Sequence, residues 1–313
     1  MRTIVTVTLN PAIDRTVWLD GGLVPGTTHR TADTRARIGG KGINVARTAA
    51  RLGAPVVALG ISGEEQAAGI ERHLHAAGIE PRFRATAGET RTNLKIIERP
   101  DGRMTEINGS GPEVDARLIE QVEGDLLDVA TRKRAAVVVL AGSLPLGVSP
   151  DVYARWVARL RDALGAAETG GPAVLVDASD AALECAVDAR PFAIKPNRVE
   201  AEALLGRPID SDEHAEQAAR ALVRRGPLGV LLSLGSRGAI AAWDGAAERI
   251  PARPLASFPG RLVTTVGAGD AMVARLAVDL AARDGAPVPT TAEFISMCRH
   301  AVDEAAGQIS AGE

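Results

Sequence analysis

The sequence contains few cysteines and few aromatic residues. Of its 313 residues only two are cysteine, Cys185 and Cys298, and Phe, Trp and Tyr together make up 3%. Two isolated cysteines form neither a disulfide framework nor a metal-ligand spacing, which fits a reducing cytoplasm. The scarcity of aromatic rings argues against the stacking platforms with which proteins bind single-stranded nucleic acid.

The chain also lacks an excess of basic charge and a long apolar run. Its 36 Lys and Arg residues are opposed by 39 Asp and Glu residues, a formal net charge of -3, so no positive field attracts nucleic acid or an anionic membrane. No uninterrupted apolar stretch has the length that spans a bilayer, and the amino terminus carries no targeting signal. We therefore expect a cytoplasmic protein that binds neither nucleic acid nor a membrane.

Short apolar runs alternate with longer stretches rich in Ala, Leu and Arg. Strands that are apolar on both faces are typical of parallel sheets, and strand–helix repetition predicts an α/β core with helices on both faces of a mostly parallel sheet. Strands are predicted at 3–9, 56–61, 135–142, 173–178, 192–196 and 229–235. Helices are predicted at 41–52, 64–77, 115–129, 149–163, 198–205, 211–224, 268–283 and 291–306.

Two segments break this pattern. Residues 12–37 and 81–108 alternate polar with apolar positions and contain the turn dipeptides Asp20-Gly21 and Asp101-Gly102. Such segments are typical of antiparallel strands and hairpins with one solvated face. We expect one domain over 1–313, with a small β-sheet lid formed by these two segments over one end of the core.

The stretch "TTVGAGDAMVARLAVDL" (264–280) places Gly267, Ala268, Gly269 and Asp270 directly before an apolar helix. Unpaired amides at a helix start attract anions, and small residues let that backbone approach a phosphate closely. A carboxylate held there can take a proton from a hydroxyl while the amides stabilise a transferring phosphoryl group. A glycine turn followed by a helix-favouring acid explains the same residues equally well.

A second glycine-rich helix start is "RIGGKGINVARTAARLG" (37–53). Gly39 and Gly40 free the backbone, while Lys41 and Asn44 offer a charge and an amide in the first turn. A loop with a helix cap and a solvated lysine is the plain alternative. Neither this motif nor "GAGDAM" meets the dinucleotide fingerprint or the P-loop pattern, which disfavours a dinucleotide-dependent oxidoreductase.

Five further motifs are ambiguous on their own. Asp14 in "NPAID" and Ser143 in "AGSLPLG" follow predicted strands, where each can face a ligand or belong to a turn. Asn197 and Glu200 in "KPNRVE" have capping-box spacing, and the pair also suits the outer shell of Mg²⁺. "SLGSRG" (233–238) suits a hairpin or a nucleotide edge. The alternating Arg91, Asn93 and Lys95 can face a phosphorylated ligand or solvent.

Taken together and in this order, the motifs resemble the phosphofructokinase B family of ribokinase-like sugar kinases. The resemblance covers nearly the whole chain and implies a ribokinase-like three-layer core, with transfer of the γ-phosphoryl group of ATP to a sugar hydroxyl in the presence of Mg²⁺. "NLKI" and "GGKGIN" are most similar to members that phosphorylate fructose-1-phosphate at its 6-hydroxyl. Tagatose-6-phosphate or fructose-6-phosphate kinase, or a catalytically weak sugar-phosphate-binding protein, are the alternatives.

The resemblance also implies roles for individual residues. Asp270 would be the catalytic base beside an anion hole of Gly267, Ala268 and Gly269, and Glu200 would act on Mg²⁺ through water. The lid would also join two copies of the chain as a homodimer. The implied sugar-phosphate residues are Asp14, Gly39, Gly40, Lys41, Asn44, Arg91, Asn93, Lys95 and Ser143; those implied for ATP are Lys195, Asn197, Ser233, Gly235 and Gly238.

The sequence departs from the family pattern at two places. Arg275 and Asp279 stand after the catalytic helix start, where members commonly carry glycine. The chain ends at "EAAGQISAGE", where relatives usually continue through a further loop and helix that border adenine and a monovalent cation. We expect these departures to alter ATP affinity or the response to monovalent cations.

Overall fold

The structure is a computed structural model that describes residues 1–253, 267–283 and 288–311. Residues 264–266 of the glycine motif lie outside these ranges. The strands are β1 (Ile4–Thr8), β2 (Ala12–Leu19), β3 (Thr34–Gly39), β4 (Val56–Gly63), β5 (Glu80–Thr86), β6 (Thr92–Glu98), β7 (Met104–Asn108), β8 (Val137–Ala141), β9 (Ala173–Asp177), β10 (Ala193–Ile194), β11 (Gly229–Ser233), β12 (Ala239–Trp243) and β13 (Ala246–Ile250). The helices are α1 (Lys41–Arg51), α2 (Glu64–Ala76), α3 (Ala116–Arg132), α4 (Val152–Leu164), α5 (Asp180–Asp188), α6 (Arg198–Leu205), α7 (Asp212–Arg225), α8 (Ala268–Ala281) and α9 (Thr291–Ala311).

Nine strands form the large sheet, in the order β13-β12-β11-β10-β9-β8-β1-β4-β5. All neighbouring pairs from β5 to β11 are parallel, and the pairs β11–β12 and β12–β13 are antiparallel. From β1 the chain passes to β4 and β5 on one side and then returns to β8 on the other. This reversal makes the carboxyl ends of β1 and β8 a topological switch point, where open α/β sheets bind ligands.

Apolar side chains of the parallel strands alternate between two cores. Ile4 of β1 belongs to the core beneath α1, α2, α8 and α9, while its neighbour Val5 belongs to the core beneath α3, α4, α5 and α7. The result is a three-layer α/β arrangement, which confirms the predicted fold class. Within the described ranges, no helix is both long and apolar enough to cross a membrane.

The small sheet has the order β3-β2-β6-β7, and we call it the lid after the predicted element to which it corresponds. It contains parts of both predicted segments, and its central pair, β2 and β6, is parallel rather than antiparallel. The second segment also enters the lid later than predicted. Residues 80–86 form β5, which pairs with β4 at the edge of the large sheet. An edge strand is half solvated, so its polar–apolar alternation looks like that of a lid strand.

The sequence pattern did not predict three of the observed elements. The helix Asp180–Asp188 and the strands Ala239–Trp243 and Ala246–Ile250 were not predicted. Asp244 and Gly245 join these two strands with φ of 47° and 78°, the positive values of a two-residue hairpin turn. The Asp-Gly dipeptide between two apolar runs was the available signal.

The first turn of α1 lies against the carboxyl end of β1. A Cβ atom added at Gly42 would be 2.3 Å from Thr8 Oγ1 and 2.6 Å from the Val7 carbonyl oxygen. Because the second neighbour is backbone, the helix itself would have to move. Gly42 therefore fixes the distance between α1 and β1, and with it the direction of the side chains in the first turn.

We predict that Gly42→Ala destabilises the protein by about 1–3 kcal/mol, as overpacking of a close contact does. Gly69→Ala in α2 is the matched control, because no atom lies within 4 Å of the added Cβ; this change should stabilise the helix by about 0.5–1 kcal/mol. Urea denaturation of both variants measures the difference. Equal midpoints for the two variants would contradict the packing argument.

Candidate active site

Two cavities meet at the amino-terminal end of α8. The lid cavity, of about 520 Å³, lies between the small sheet and α1 and is lined by Asp14, Asn44 and Lys95, among others. The α8–α9 cavity, of about 910 Å³, lies between the starts of α6 and α8, the turn after β11, and α9. Gly267 lines both cavities. Each cavity has the volume of a small-molecule site.

Asp270 lies in the first turn of α8 and is 8% exposed. Its Oδ2 accepts a hydrogen bond of 2.8 Å from Nδ2 of Asn44 in α1. Burial raises the pKa of Asp270, the negative charge of Asp177 raises it further, and the Asn44 hydrogen bond and two lysines only partly oppose this, so the pKa is about 6. Asp270 is therefore ionised at neutral pH but readily takes up a proton.

Asp177 ends β9 and is completely buried. Its Oδ1 lies 3.0 Å from Lys41 Nζ and 3.4 Å from Lys195 Nζ, while its Oδ2 has no hydrogen-bond partner. Burial alone would raise the pKa of Asp177, but the two ammonium groups outweigh it and hold the pKa below its ordinary value. The sequence analysis missed this residue, although an acid ending an apolar strand was a visible signal.

The two lysines reach this carboxylate from different elements. Lys41 is the first residue of α1, and Lys195 directly follows β10. Burial lowers the pKa of Lys41, whereas Asp177, Glu200 and Asp270 together raise it above its ordinary value. Lys41 lines the α8–α9 cavity, whereas Asp14, Asn44 and Lys95, with which the resemblance grouped it, line the lid cavity.

The glycines before Asp270 have distinct roles in the backbone. Gly267 is the N-cap of α8 with φ of 82°, a value that favours glycine. Gly269 lies close to Lys195, since an added Cβ would be 3.3 Å from its Nζ. The start of α8 thus brings unpaired helix amides and an ammonium group to the same point, which is a suitable arrangement for an anion.

Several polar residues at the lid cavity come from β2 and β6, which are neighbouring strands of the small sheet. Asp14 of β2 accepts a hydrogen bond of 2.9 Å from Asn93 of β6. Gly39 packs on this aspartate, with only 2.2 Å between an added Cβ and Asp14 Oδ2. Lys95, two residues beyond Asn93, lies 3.8 Å from Glu106. Four arginines that the sequence motifs did not single out also line this cavity: Arg35, Arg37, Arg47 and Arg51.

Other predicted residues hold the loops around the lid cavity. Arg91 donates hydrogen bonds to the carbonyl groups of Pro11 and Gly109, and burial lowers its pKa. Ser143 is 3.4 Å from Nδ2 of Asn10, which also donates to the Ser110 and Leu144 carbonyl groups. Asn10 therefore ties the end of β1 to two loops, a role that the sequence analysis did not predict.

Gly40 likewise serves packing. It has φ of 117°, and an added Cβ would be 2.9 Å from Thr8 and 3.1 Å from the Pro11 backbone. Gly40 is absent from the described linings of both cavities. The same is true of five other predicted residues: Gly39, Arg91, Asn93, Ser143 and Glu200.

Asn197 and Glu200 form the capping box of α6. Asn197 Oδ1 accepts from the Glu200 amide at 2.9 Å, and Glu200 Oε2 accepts from the Asn197 amide at 2.8 Å. Ser233 pairs with Asn197 in an isolated bridge, and its turn continues through Gly235 and Gly238 into β12. The turn connects the antiparallel strands β11 and β12, as the hairpin interpretation predicts. It also lines the α8–α9 cavity, and its contact with a nucleotide stays a prediction.

A larger cleft than the lid cavity, about 710 Å³, lies at the amino-terminal ends of β9, β10 and β11. Its arginines support helix ends: Arg161 donates to the Ala189 carbonyl group, and Arg225 forms two hydrogen bonds with Asp188. Basic side chains at helix carboxyl termini are common stabilising elements. The cleft contains none of the residues that the sequence analysis selected.

We predict that Asp270→Asn raises stability at neutral pH, because it removes a buried charge. The pKa of about 6, compared with 3.8 for an ordinary aspartate, is a shift of roughly 2 units and corresponds to at most about 3 kcal/mol. In the parent protein the buried charge of Asp270 destabilises the folded state fully above pH 6. This destabilisation disappears as the pH falls towards 4, because the folded state then binds the proton. Thermal melting from pH 4 to 8 should show that the melting temperatures of Asp270→Asn and the parent protein converge as the pH falls. A difference that stays constant with pH would contradict the raised pKa of Asp270.

The whole chain is similar to known kinases. Residues 6–305 match the pfkB family carbohydrate kinase domain. The 1-phosphofructokinase of Xanthomonas campestris pv. campestris is 40% identical over 302 residues, which cover 94% of this chain and 90% of that protein. These matches confirm the family resemblance.

Solved structures agree with the fold. The tetrameric inhibited form of phosphofructokinase-2 from Escherichia coli has a TM-score of 0.83 at 26% identity, over 99% of this chain and 94% of that one. Ribokinase from Thermotoga maritima has a TM-score of 0.75 over 99% of this chain and 93% of that one; at 18% identity it shows the fold alone. The chain has a ribokinase-like fold and belongs to the pfkB family of carbohydrate kinases.

Proposed function

We propose that this protein transfers the γ-phosphoryl group of ATP to the 6-hydroxyl group of fructose-1-phosphate, with fructose-1,6-bisphosphate and ADP as products. Membership of the family makes the chain a phosphotransferase with an alcohol acceptor and implies ATP as the donor. The choice of fructose-1-phosphate is supported by the 40% identity to the Xanthomonas 1-phosphofructokinase.

The observation that carries the proposal is the place of Asp270. It lines the α8–α9 cavity, its partner Asn44 lines the lid cavity, and Gly267 lines both. A carboxylate at this junction can reach a hydroxyl group on one side while the helix amides reach a phosphate on the other. Positioning of both reactants and stabilisation of charge are the main sources of catalysis in phosphoryl transfer.

In the proposed step, the 6-oxygen of the sugar forms a bond to the γ-phosphorus, and the bond from this phosphorus to the β–γ bridging oxygen breaks. The electron pair of the broken bond leaves on ADP, and the hydroxyl proton passes to Asp270. The amides at 267–269 would bind the oxygens of the transferring group. An acid with a pKa of about 6 suits this task, because it is ionised near neutral pH and retains affinity for a proton.

The lid cavity has the charge expected for a phosphorylated acceptor. Arg35, Arg37, Arg47 and Lys95 line it, with Asp14 as a carboxylate that can bind sugar hydroxyl groups. Arg35 lies over the ring of Trp18 at 5.2 Å from the centroid, a contact that holds the guanidinium at the cavity wall. Excess positive charge favours a sugar phosphate over an unphosphorylated sugar.

Both cationic and apolar side chains line the α8–α9 cavity, and ATP likewise combines charged phosphates with an apolar base. Lys41, Lys195 and residues 267–269 line the end near Asp270, and the lining also includes the apolar Leu234, Met272 and Val302. We propose that the cationic end takes the phosphates and that the apolar part takes the base.

We further propose that Mg²⁺ accompanies ATP. The described residues contain no group of three or more His, Cys, Asp or Glu side chains that could hold a metal ion. Mg²⁺ does not require one, because it keeps several waters and binds phosphate oxygens. Glu200, near enough to Lys41 to affect its pKa, and the unpartnered Oδ2 of Asp177 fit an ion held through water. When bound, Mg²⁺ would neutralise charge on the phosphates.

The substrate prediction is tested by ADP release with Mg-ATP and four acceptors: fructose-1-phosphate, fructose-6-phosphate, tagatose-6-phosphate and fructose. We expect the highest kcat/KM with fructose-1-phosphate and a decline as the pH falls through about 6, where Asp270 becomes protonated. Asp270→Asn should lose about 100- to 10,000-fold in kcat, the usual contribution of a positioned base. Asp279→Asn in the same helix is the control, since this residue bonds Arg275 and His300 instead.

Each other outcome has a defined meaning. Preference for another sugar phosphate would change the acceptor but retain the base. Full activity of Asp270→Asn would refute the catalytic role. No turnover with any acceptor, combined with a higher melting temperature in the presence of a sugar phosphate, would instead favour the weak binding protein.

We also propose that the lid joins two copies of the chain. Asp14 and Trp18 of β2 face the lid cavity, so by strand alternation Val17 faces the other way. The same alternation and the strand register bring Val17, Leu94, Ile96 and Ile107 together on that outer face, where Ile107 is 58% exposed. A second copy of this apolar face would cover it symmetrically.

Ile107→Lys should therefore convert the protein to monomers, whereas Leu146→Lys, an equally exposed apolar position outside the lid, should not. Analytical ultracentrifugation at several protein concentrations measures both. A monomeric parent protein, or two variants with the same mass, would contradict the lid dimer.

A further inference from the structure

The 710 Å³ cleft lies at the opposite end of the large sheet from the candidate active site. Its lining includes Val174 and Phe192, near the starts of β9 and β10. The carboxyl ends of the same strands lead to Asp177 and Lys195, which line the α8–α9 cavity. A small molecule in the cleft would therefore not compete with the proposed substrates for space.

The buried part of the cleft lining is apolar. Val174 and Phe192 are only 7% and 4% exposed, and Val157 of α4 is 3% exposed. Close packing holds such side chains in place, so this part of the wall is already formed before a ligand binds. Preformed apolar walls are typical of sites for small organic molecules, and this one suits a ring or a short hydrocarbon group.

The charged part of the lining is mainly positive. The whole chain has a formal net charge of -3, yet this cleft is lined by four arginines and two acids. A cleft lined mainly by one sign of charge concentrates ions of the opposite sign. The six charged residues are Arg161, Arg190, Arg224, Arg225, Glu168 and Asp188.

Two of the four arginines stabilise the surrounding helices. Arg225 forms two hydrogen bonds with Asp188 and donates a third to the Leu204 carbonyl group. Arg161 donates to the Ala189 carbonyl group at the end of α5. Helix carboxyl ends carry a partial negative charge that would repel an anion. These two arginines therefore also reduce that repulsion in the cleft.

The other two arginines have no protein partner. Within the part of the chain that the structure describes, the side chains of Arg190 and Arg224 form no hydrogen bond or ion pair, and both residues are exposed. Of the two acids in the lining, Asp188 is paired with Arg225, which leaves Glu168 to oppose them. The guanidinium donors of Arg190 and Arg224 are thus available to an anion.

We propose that this cleft is a second ligand site, which takes a small organic phosphate with an apolar ring or chain. The apolar part would contact Val174 and Phe192, and the phosphate would accept hydrogen bonds from Arg190 and Arg224. Guanidinium groups bind phosphate through pairs of parallel hydrogen bonds, and two of them match the double charge of a phosphate monoester. Both ends of the sheet can be occupied at once.

The binding test uses 1-naphthyl phosphate as the probe and isothermal titration calorimetry of the full chain. Saturating Mg-ADP and fructose-1-phosphate are present, so that the proposed active site is filled. 1-Naphthol and inorganic phosphate serve as the apolar and the anionic half of the probe. We expect one saturable site for 1-naphthyl phosphate, with at least about tenfold higher affinity than either half, because linked groups bind with a high effective concentration.

Two substitutions remove the proposed phosphate contacts, and a third is the matched control. Arg190→Gly and Arg224→Gln should each weaken the binding of 1-naphthyl phosphate by roughly tenfold, the contribution of a hydrogen bond to a charged group. Arg190 and Arg134 have φ of 59° and 47°, so glycine relieves similar backbone strain at both positions. Arg134 lies outside the cleft lining. Arg134→Gly should therefore gain similar thermal stability but retain the affinity of the parent protein.

Each outcome decides for or against the second site. No saturable binding to the parent protein, or unchanged affinity in both Arg190→Gly and Arg224→Gln, would refute it. An equal loss of affinity in Arg134→Gly would attribute the effect to overall charge and would refute the local contact. Equal affinity for inorganic phosphate and 1-naphthyl phosphate would refute the proposed class of ligand. If the protein is inactive with every acceptor but the two cleft variants lose affinity as expected, the proposed function is refuted and the second site is supported.

Discussion

The close contact of α1 with β1 determines much of this site. Gly42 leaves no room for a side chain between the helix and the Val7 carbonyl group, so the first turn of α1 is fixed on the end of the strand. That turn carries Lys41 towards Asp177 and Asn44 towards Asp270. Two side chains three residues apart thereby line two different cavities, Asn44 the lid cavity and Lys41 the α8–α9 cavity.

The electrostatics of the site follow from burial combined with unequal partners. Asp177 and Asp270 are both removed from water, yet only Asp177 has two ammonium groups within 3.4 Å. Since burial favours the neutral form and nearby cations favour the charged form, the pKa of one carboxyl falls and that of the other rises to about 6. The end of β9 thus supplies Asp177, which stays ionised, and the start of α8 supplies Asp270, which can take up a proton near neutral pH.

The lid shows how one small sheet can serve two surfaces. Strand alternation places Asp14 and Trp18 on the cavity side of β2 and Val17 on the outer side. Lys95 and Ile96 divide in the same way in β6. The polar face lines the lid cavity, and the apolar face is the one that we propose contacts a second copy of the chain. Binding of an acceptor and association of subunits would therefore depend on the same four strands.

The sequence by itself determined the α/β class, most of the helices, the lid segments, and the motifs at Asp14, Lys41, Asn44 and Asp270, because periodicity and glycine-rich helix starts are local signals. The tertiary structure alone decided that residues 80–86 join the large sheet, since edge strands and lid strands have the same alternation. It also decided the partners of Asp177: Lys41 lies 136 residues before it in the sequence, and Lys195 lies 18 residues after it. Contacts between residues so far apart depend on strand order, which no local pattern encodes.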